Sequence, residues 1–268
     1  MIPILLKELR DRRWSLLAYS GIAVWLVIMY TSMFPSIQQQ DQSFNELFKS
    51  LPEGYQKAFG ITRQSFGSLE GFLGIELFSL TLPLILMLLA ISRAGNAVAG
   101  EVERGTMRTL LSLPISRPAV YTAKYVASGM AVVVVPVALG SAMTSAAAVA
   151  GLSLHAGRVA EAVGLSVMFG LAVLGVAFLA SSVFSDRGKV YMTVGGFMLA
   201  QYIAHVVAGL QDQFSWLDKL SAFHYFSGTD VMAGTPASLS SWLVFGSVAI
   251  AGAVLGLAIF SRRDISAR

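Results

Sequence analysis

The sequence predicts an all-α integral membrane protein with six transmembrane helices, and three observations carry that expectation. The 268 residues are 55% hydrophobic and only 13% charged, about half of the ~25% charge usual in soluble domains. The apolar residues gather into six runs, each near the ~20 residues that cross a ~30 Å hydrocarbon core. Lysine and arginine crowd the loops on one side of those runs. A soluble fold can bury one or two wholly apolar helices but not six, so lipid is the expected solvent. The chain has no cysteine, which excludes a disulfide scaffold and any thiolate metal site.

Residues 1–14 read Met-Ile-Pro-Ile-Leu-Leu-Lys-Glu-Leu-Arg-Asp-Arg-Arg-Trp. Leu5 and Leu9 share one helical face, as do Ile2 and Leu6, while Lys7, Arg10 and Asp11 fall largely opposite. This suits an amphipathic helix in the headgroup plane with Trp14 at its boundary. The other reading is a flanking segment whose charges only fix orientation. A cleaved signal peptide fits less well, because no small-x-small site follows and the apolar run is long.

The expected spans are 15–34, 72–92, 121–151, 162–184, 190–210 and 242–261, in one membrane domain covering 1–268. The third is long enough to tilt or bend at Pro136, and Pro83 offers a kink in the second. With a cytoplasmic N-terminus, 14 of the 19 Lys and Arg residues fall on inside segments and five (Lys49, Lys57, Arg63, Arg158, Lys219) outside. That bias places both termini in the cytoplasm. It also explains the net charge of +4 without nucleic acid. In the first outside loop, 35–71, Phe44, Leu47, Phe48 and Leu51 recur at helical spacing ahead of Pro52. They predict a short surface helix, either packed on the spans or acting as a lid. The last outside loop, 211–241, carries Trp216, Phe223, Tyr225 and Phe226, which read as interfacial anchors.

The densest charged stretch, residues 100–117, lies between the second and third runs and reads Gly-Glu-Val-Glu-Arg-Gly-Thr-Met-Arg-Thr-Leu-Leu-Ser-Leu-Pro-Ile-Ser-Arg. Gly105 lets the backbone turn, Thr106 can cap a helix beginning at Met107, and Pro114 ends it. Ser116 can cap the next helix, with Pro118 near its start. The product is a short cytoplasmic helix, about 107–113, that exposes Arg108 and buries Leu110, Leu111 and Leu113. With Glu101, Glu103 and Arg104 beside it, such a knob can dock in a groove on a soluble partner. The bland alternative is a solvated loop that reverses the chain.

The order acidic-x-acidic-x-Gly-Thr, then Leu-Leu, then Pro-x-Ser-Arg, with Lys124 entering the next run, resembles the first cytoplasmic loop of ABC-2 type transporter permeases. The resemblance implies an N-terminal elbow helix and a coupling region formed by Glu101, Glu103, Gly105, Thr106, Leu110, Leu111, Pro114, Ser116 and Arg117. It implies two permease subunits, as homodimer or related heterodimer, working with two ATP-binding subunits that hold ATP and Mg, and it implies export. The setting would be a bacterial or archaeal inner membrane, with lipid as the other partner.

No cofactor site, metal site or catalytic cluster is expected in this chain. Its only Gly-Lys, Gly188-Lys189, is followed by Val190, and Val183 stands where a phosphate-cradling loop needs its first glycine. His155, His205 and His224 have no ligand-spaced neighbours, and HExxH and GxSxG are absent. An enzyme therefore ranks last. Glu76 and His205 are the ionisable groups nearest lipid depth and become the candidates under an ion-coupled carrier or channel; a second alternative is a non-transporting partner of a soluble ATPase. Gly252 and Gly256 form a GxxxG suited to packing within the chain or across a dimer.

Overall fold

The computed structural model describes residues 2–38 and 67–263, and the expected helix at Phe44–Leu51 lies outside them. Among the described residues the chain is helical throughout, without strands. Six helical segments are long and apolar enough to cross a membrane: Arg13–Gln38, Leu69–Glu103, Arg117–Ala150, Ala156–Val183, Arg187–Leu210 and Leu239–Arg262. Each contains or overlaps an expected span. We call the face that carries the first residues of the first span and the last of the sixth the near face, and the other the far face.

A short helix α1 (Ile2–Asp11) precedes the first span, α2 (Arg13–Gln38). Its inward side differs from the expected one. Ile4 is buried, Leu5, Glu8, Leu9 and Arg12 are partly buried, and Leu6 is exposed. The inward stripe includes the Glu8 carboxylate, which meets Lys124 on the bundle, and the Arg12 guanidinium, which pairs with Glu8.

The second span is interrupted. It opens with α3 (Leu69–Leu73), capped by the Ser68 hydroxyl, which accepts from Gly71 N at 3.1 Å, and widens into a π-helical turn at Gly74–Phe78. It resumes as α4 (Thr81–Ala97) and ends with α5 (Ala99–Glu103). Pro83 lies in the first turn of α4, so the break precedes the proline: Pro83 has no N–H to give Ser79, and the regular ladder restarts with Leu84 N donating to Leu80 O. At the second break the buried Ser181 stitches the backbone. Its hydroxyl donates to Ala94 O at 2.7 Å and accepts from Ala99 N at 3.0 Å.

A single helical turn, α6 (Thr106–Leu111), leads to the third span α7 (Arg117–Ala150). At 34 residues α7 is about 50 Å long, well beyond a ~30 Å core, so it tilts or projects. The fourth and fifth spans are α8 (Ala156–Val183) and α9 (Arg187–Leu210). The closest helix packing is between α8 and the sixth span, α13 (Leu239–Arg262). A Cβ built on Gly252 would stand 2.4 Å from the Gly175 carbonyl carbon, and one on Gly175 would stand 2.8 Å from Ala249 O. Gly256 leaves room for the Tyr121 hydroxyl and lies against the Leu179 backbone. The GxxxG is therefore used within the chain, to bring two backbones together.

Residues 211–241 overturn the expectation of an interfacial loop. After a 3₁₀ turn at Asp212–Phe214, α10 (Ser215–Asp218) descends alongside α9, followed by α11 (Ala222–Tyr225) and α12 (Gly228–Met232). Ser221 donates to Gln201 O at 2.8 Å, and Ala222 N donates to Gln201 Oε1 at 2.7 Å. Gln201 lies nine residues before the end of α9, about 14 Å below it. Phe223 and Phe226 are buried against Phe169, at the middle of α8, while Trp216 remains exposed. The segment re-enters the bundle, and Gln201 satisfies the Ala222 backbone N–H, which lipid could not.

Candidate functional site

The near face carries three charged clasps that converge on residues 99–117. The deepest is Lys124, only 1% exposed, about two turns into α7. Its ammonium meets Glu101 Oε1 at 2.7 Å and the Glu8 carboxylate on α1, and Arg12 approaches the other Glu8 oxygen at 3.4 Å. Two carboxylates thus share one buried cation, which needs both to offset its desolvation. Arg12 also offers its backbone carbonyl to the buried Arg93, 3.1 Å away. The sequence pointed to Glu101 and Lys124 separately; their meeting depends on α1 folding back to deliver Glu8.

The second clasp is Glu103 with Arg187 at the start of α9, whose Nε lies 3.7 Å from the carboxylate. Both groups are about half exposed, so Glu103→Gln is expected to change stability by less than about 1 kcal/mol in a thermal melt. In the third, Arg117 donates to the Arg263 carbonyl, while the Arg263 guanidinium donates to Ser182 O at 2.8 Å and Phe184 O at 2.9 Å. These are the last carbonyls of α8, satisfied from the end of the sixth span. Desolvation lowers the pKa of Arg263.

Between the clasps, Gly105 takes φ +74°, the left-handed region that favours glycine, and serves as the N-cap of α6. Thr106 is therefore the first helical residue rather than the cap, and its hydroxyl bonds back to Glu101 O at 3.3 Å. The helix runs over Thr106–Leu111, shorter than the expected 107–113. Met107, unremarked in the sequence, is the fully buried anchor; Leu110 and Leu111 are partly buried, and Leu113 is 51% exposed because it lies beyond the helix. Arg104, Arg108, Thr109, Pro114 and Ser116 present the exposed surface. Ser116 stands at the N-cap of α7 without a side-chain hydrogen bond, with Pro118 in the first turn.

Two further contacts, found only in the structure, pin the end of the second span. Asn96 donates to the Tyr191 hydroxyl at 2.7 Å, and the Tyr191 ring occupies the space where a side chain at Gly95 would be. With Ser181 they join the second, fourth and fifth spans directly behind the loop.

The membrane candidates lie elsewhere. Glu76 sits in the π turn, partly buried beside Tyr30. His205 pairs through Nδ1 with Asp218 at 2.7 Å, and His224 takes the other oxygen of the same carboxylate at 2.5 Å. The structure does not bring Glu76 and His205 into contact: one joins the second span to the first, the other holds the re-entrant segment to α9. Asp218→Ala is expected to lower stability by about 1 kcal/mol, read as a shift in melting temperature, since both imidazoles lose their shared acceptor in a half-exposed setting. At the far face Glu70 accepts from His155 N at 2.6 Å and from Arg158 at 2.5 Å, tying the start of the second span to the fourth.

Six membrane-length helices, a loop clasped to several of them at one face and a re-entrant segment at the other define a polytopic α-helical membrane protein. A family model described as "ABC-2 family transporter protein" matches residues 2–265, and the chain belongs to that family. It is the membrane permease component of an ABC transporter, a class that works with ATP-binding subunits. No curated protein matches the sequence.

Proposed function

We propose that the chain is the permease subunit of an ATP-driven exporter, and that residues 99–117 receive the force of a separate ATP-binding subunit. The observation that carries this reading is the convergence on one short loop of clasps to α1, α7, α9 and the end of α13. A partner that displaces α6 would act on several spans together, because the loop is attached to each, most firmly through the buried Lys124. Glu101 and Arg117 then serve as internal linkages. The docking surface would be the exposed side of α6 with Arg104, Arg108 and Thr109, and Met107 would be its root in the bundle. In this reading α1 is the elbow helix, both termini are cytoplasmic, and the far face is extracellular.

The mechanism is mechanical. ATP closes the partner dimer, the short helix shifts, and spans joined through Lys124, Ser181 and Tyr191 switch between two packings that open the pathway outward. ATP and Mg stay on the partner, and a second permease copy completes the pathway.

The test is co-purification of the tagged chain from its native membrane. Wild type is expected to bring down an ATP-binding subunit in stoichiometric amount. Gly105→Pro, which forbids the positive φ, is expected to lose it while the membrane bundle stays folded. Wild type that purifies alone and transports without ATP would overturn the reading in favour of an ion-coupled carrier, in which Glu76 and His205 become the residues to test.

A further inference from the structure

The helix α1 is held to the bundle by one side only. Ile4 is buried on that side, and Glu8, with Arg12 beside it, reaches Lys124. The opposite side carries Leu6, Lys7 and Arg10, all exposed. Past the turn at Arg12 the same outward exposure continues with Arg13 and Trp14, the Arg13 guanidinium lying 5.5 Å from the centre of the Trp14 ring. Lys7, Arg10 and Arg13 form no ion pair among the described residues, and Asp11 is the one exposed carboxylate within residues 4–14. Three cations therefore stand against one anion. Between them Leu6 and Trp14 are 58% and 71% exposed.

The position of α1 is fixed by the ends of three spans. It leads directly into the first, and through Lys124 its Glu8 is joined to Glu101 at the end of the second and to the opening turns of the third. Ends of membrane-length helices stand where hydrocarbon gives way to headgroups. Cations interleaved with leucine and tryptophan at that level suit neither water nor hydrocarbon alone, and they match the boundary between the two.

We propose that the outward side of α1 binds the headgroups of anionic phospholipids in the near leaflet, in preference to zwitterionic ones. Lipid phosphate oxygens supply the counter-charge that the protein withholds from Lys7, Arg10 and Arg13, and a guanidinium can take two such oxygens at once. A zwitterionic headgroup brings its own cation and leaves the excess charge unbalanced. Each basic residue near an anionic surface strengthens attachment by about fivefold. Because Glu8 lies on the other side of the same helix, lipid held here also steadies the carboxylate on Lys124, so the charge of the near leaflet sets how firmly the loop at residues 99–117 is clasped. Lipid binding on this side is independent of ATP coupling.

The test is hydrogen–deuterium exchange of the full chain in phosphatidylcholine nanodiscs, with and without phosphatidylglycerol of the same acyl chains. In the wild type, phosphatidylglycerol is expected to slow exchange across residues 2–14 severalfold, and ~1 M salt, which shortens the Debye length to about 3 Å, should shrink that difference. Lys7→Gln/Arg10→Gln removes two outward charges and should bring exchange in the two lipids close together. Lys189→Gln/Arg262→Gln removes two other exposed cations of the near face and should keep the wild-type difference. Equal exchange of the wild type in both lipids would overturn the proposal. So would an equal loss in the two double variants, which would mean diffuse attraction to the whole face. Protection of residues 2–14 that follows a bound ATP-binding subunit regardless of lipid would overturn it as well.

Discussion

Gly252→Leu is expected to abolish recovery of folded protein. At this position a Cβ would lie 2.4–2.8 Å from Gly175 backbone atoms, and backbone cannot swing aside as a side-chain tip can. The fourth and sixth spans would have to separate, taking with them the edge-to-face contact of Tyr121 with Phe178 and its tilted contact with Phe260. Overpacking ordinarily costs about 1–3 kcal/mol, and a backbone clash falls at the upper end or beyond. Gly196→Leu supplies the control, because nothing lies within 4 Å of a Cβ there and the residue faces outward. Size-exclusion chromatography of detergent extracts should show a monodisperse peak for Gly196→Leu and aggregate for Gly252→Leu. Equal profiles would mean that the two spans do not pack through these glycines.

Lys124→Met should have the second-largest effect. It leaves the Glu8 and Glu101 carboxylates facing each other at a site where the lysine is 99% enclosed. Removing one partner of a buried ion pair costs about 3–5 kcal/mol, chiefly through the charge left uncompensated. The triple change Glu8→Gln/Lys124→Met/Glu101→Gln should therefore recover much of the loss in a thermal melt. It should not recover transport, since the linkage between α1 and the loop is gone. Lys124→Met with wild-type stability would show that the three groups do not meet.

The spans were legible because lipid imposes a simple rule: backbone satisfied within the helix and apolar side chains outside. That rule leaves runs which composition alone reveals, and helix starts in the structure fall two to six residues before the expected ones. The re-entrant segment was not legible. Phe223 and Phe226 have the composition of an interfacial belt, and only contact with Gln201 and Phe169 distinguishes burial from anchoring. The available signal was Gln201 itself, a side-chain amide deep in an apolar run that needs a partner. The interruptions of the second span were hidden for a similar reason. Gly74 and Val98 look like ordinary members of an apolar stretch, and the groups that repair the break at Val98 come from Ser181, far along the chain.

At the loop, Gly105 was legible as a turn because the backbone requirement is local. The role of Glu101 was not. A carboxylate in a charged stretch reads as a solvated or docking group, and its burial follows from Lys124, 23 residues on, and from Glu8, whose position depends on how α1 folds back. The sequence thus indicated where the loop lies and how it turns, but not which of its charges face inward.

The absence of cysteine from the chain makes the central claim directly testable. Thr109→Cys places one thiol on the exposed side of α6, and a short bifunctional thiol-to-amine reagent applied to native membranes reports what lies against it. The account predicts a single major adduct with an ATP-binding subunit, whose yield changes when ATP is added or a non-hydrolysable analogue traps the closed partner. Absence of that adduct, while the subunit still co-purifies and drives transport, would contradict the assignment of this loop as the coupling site.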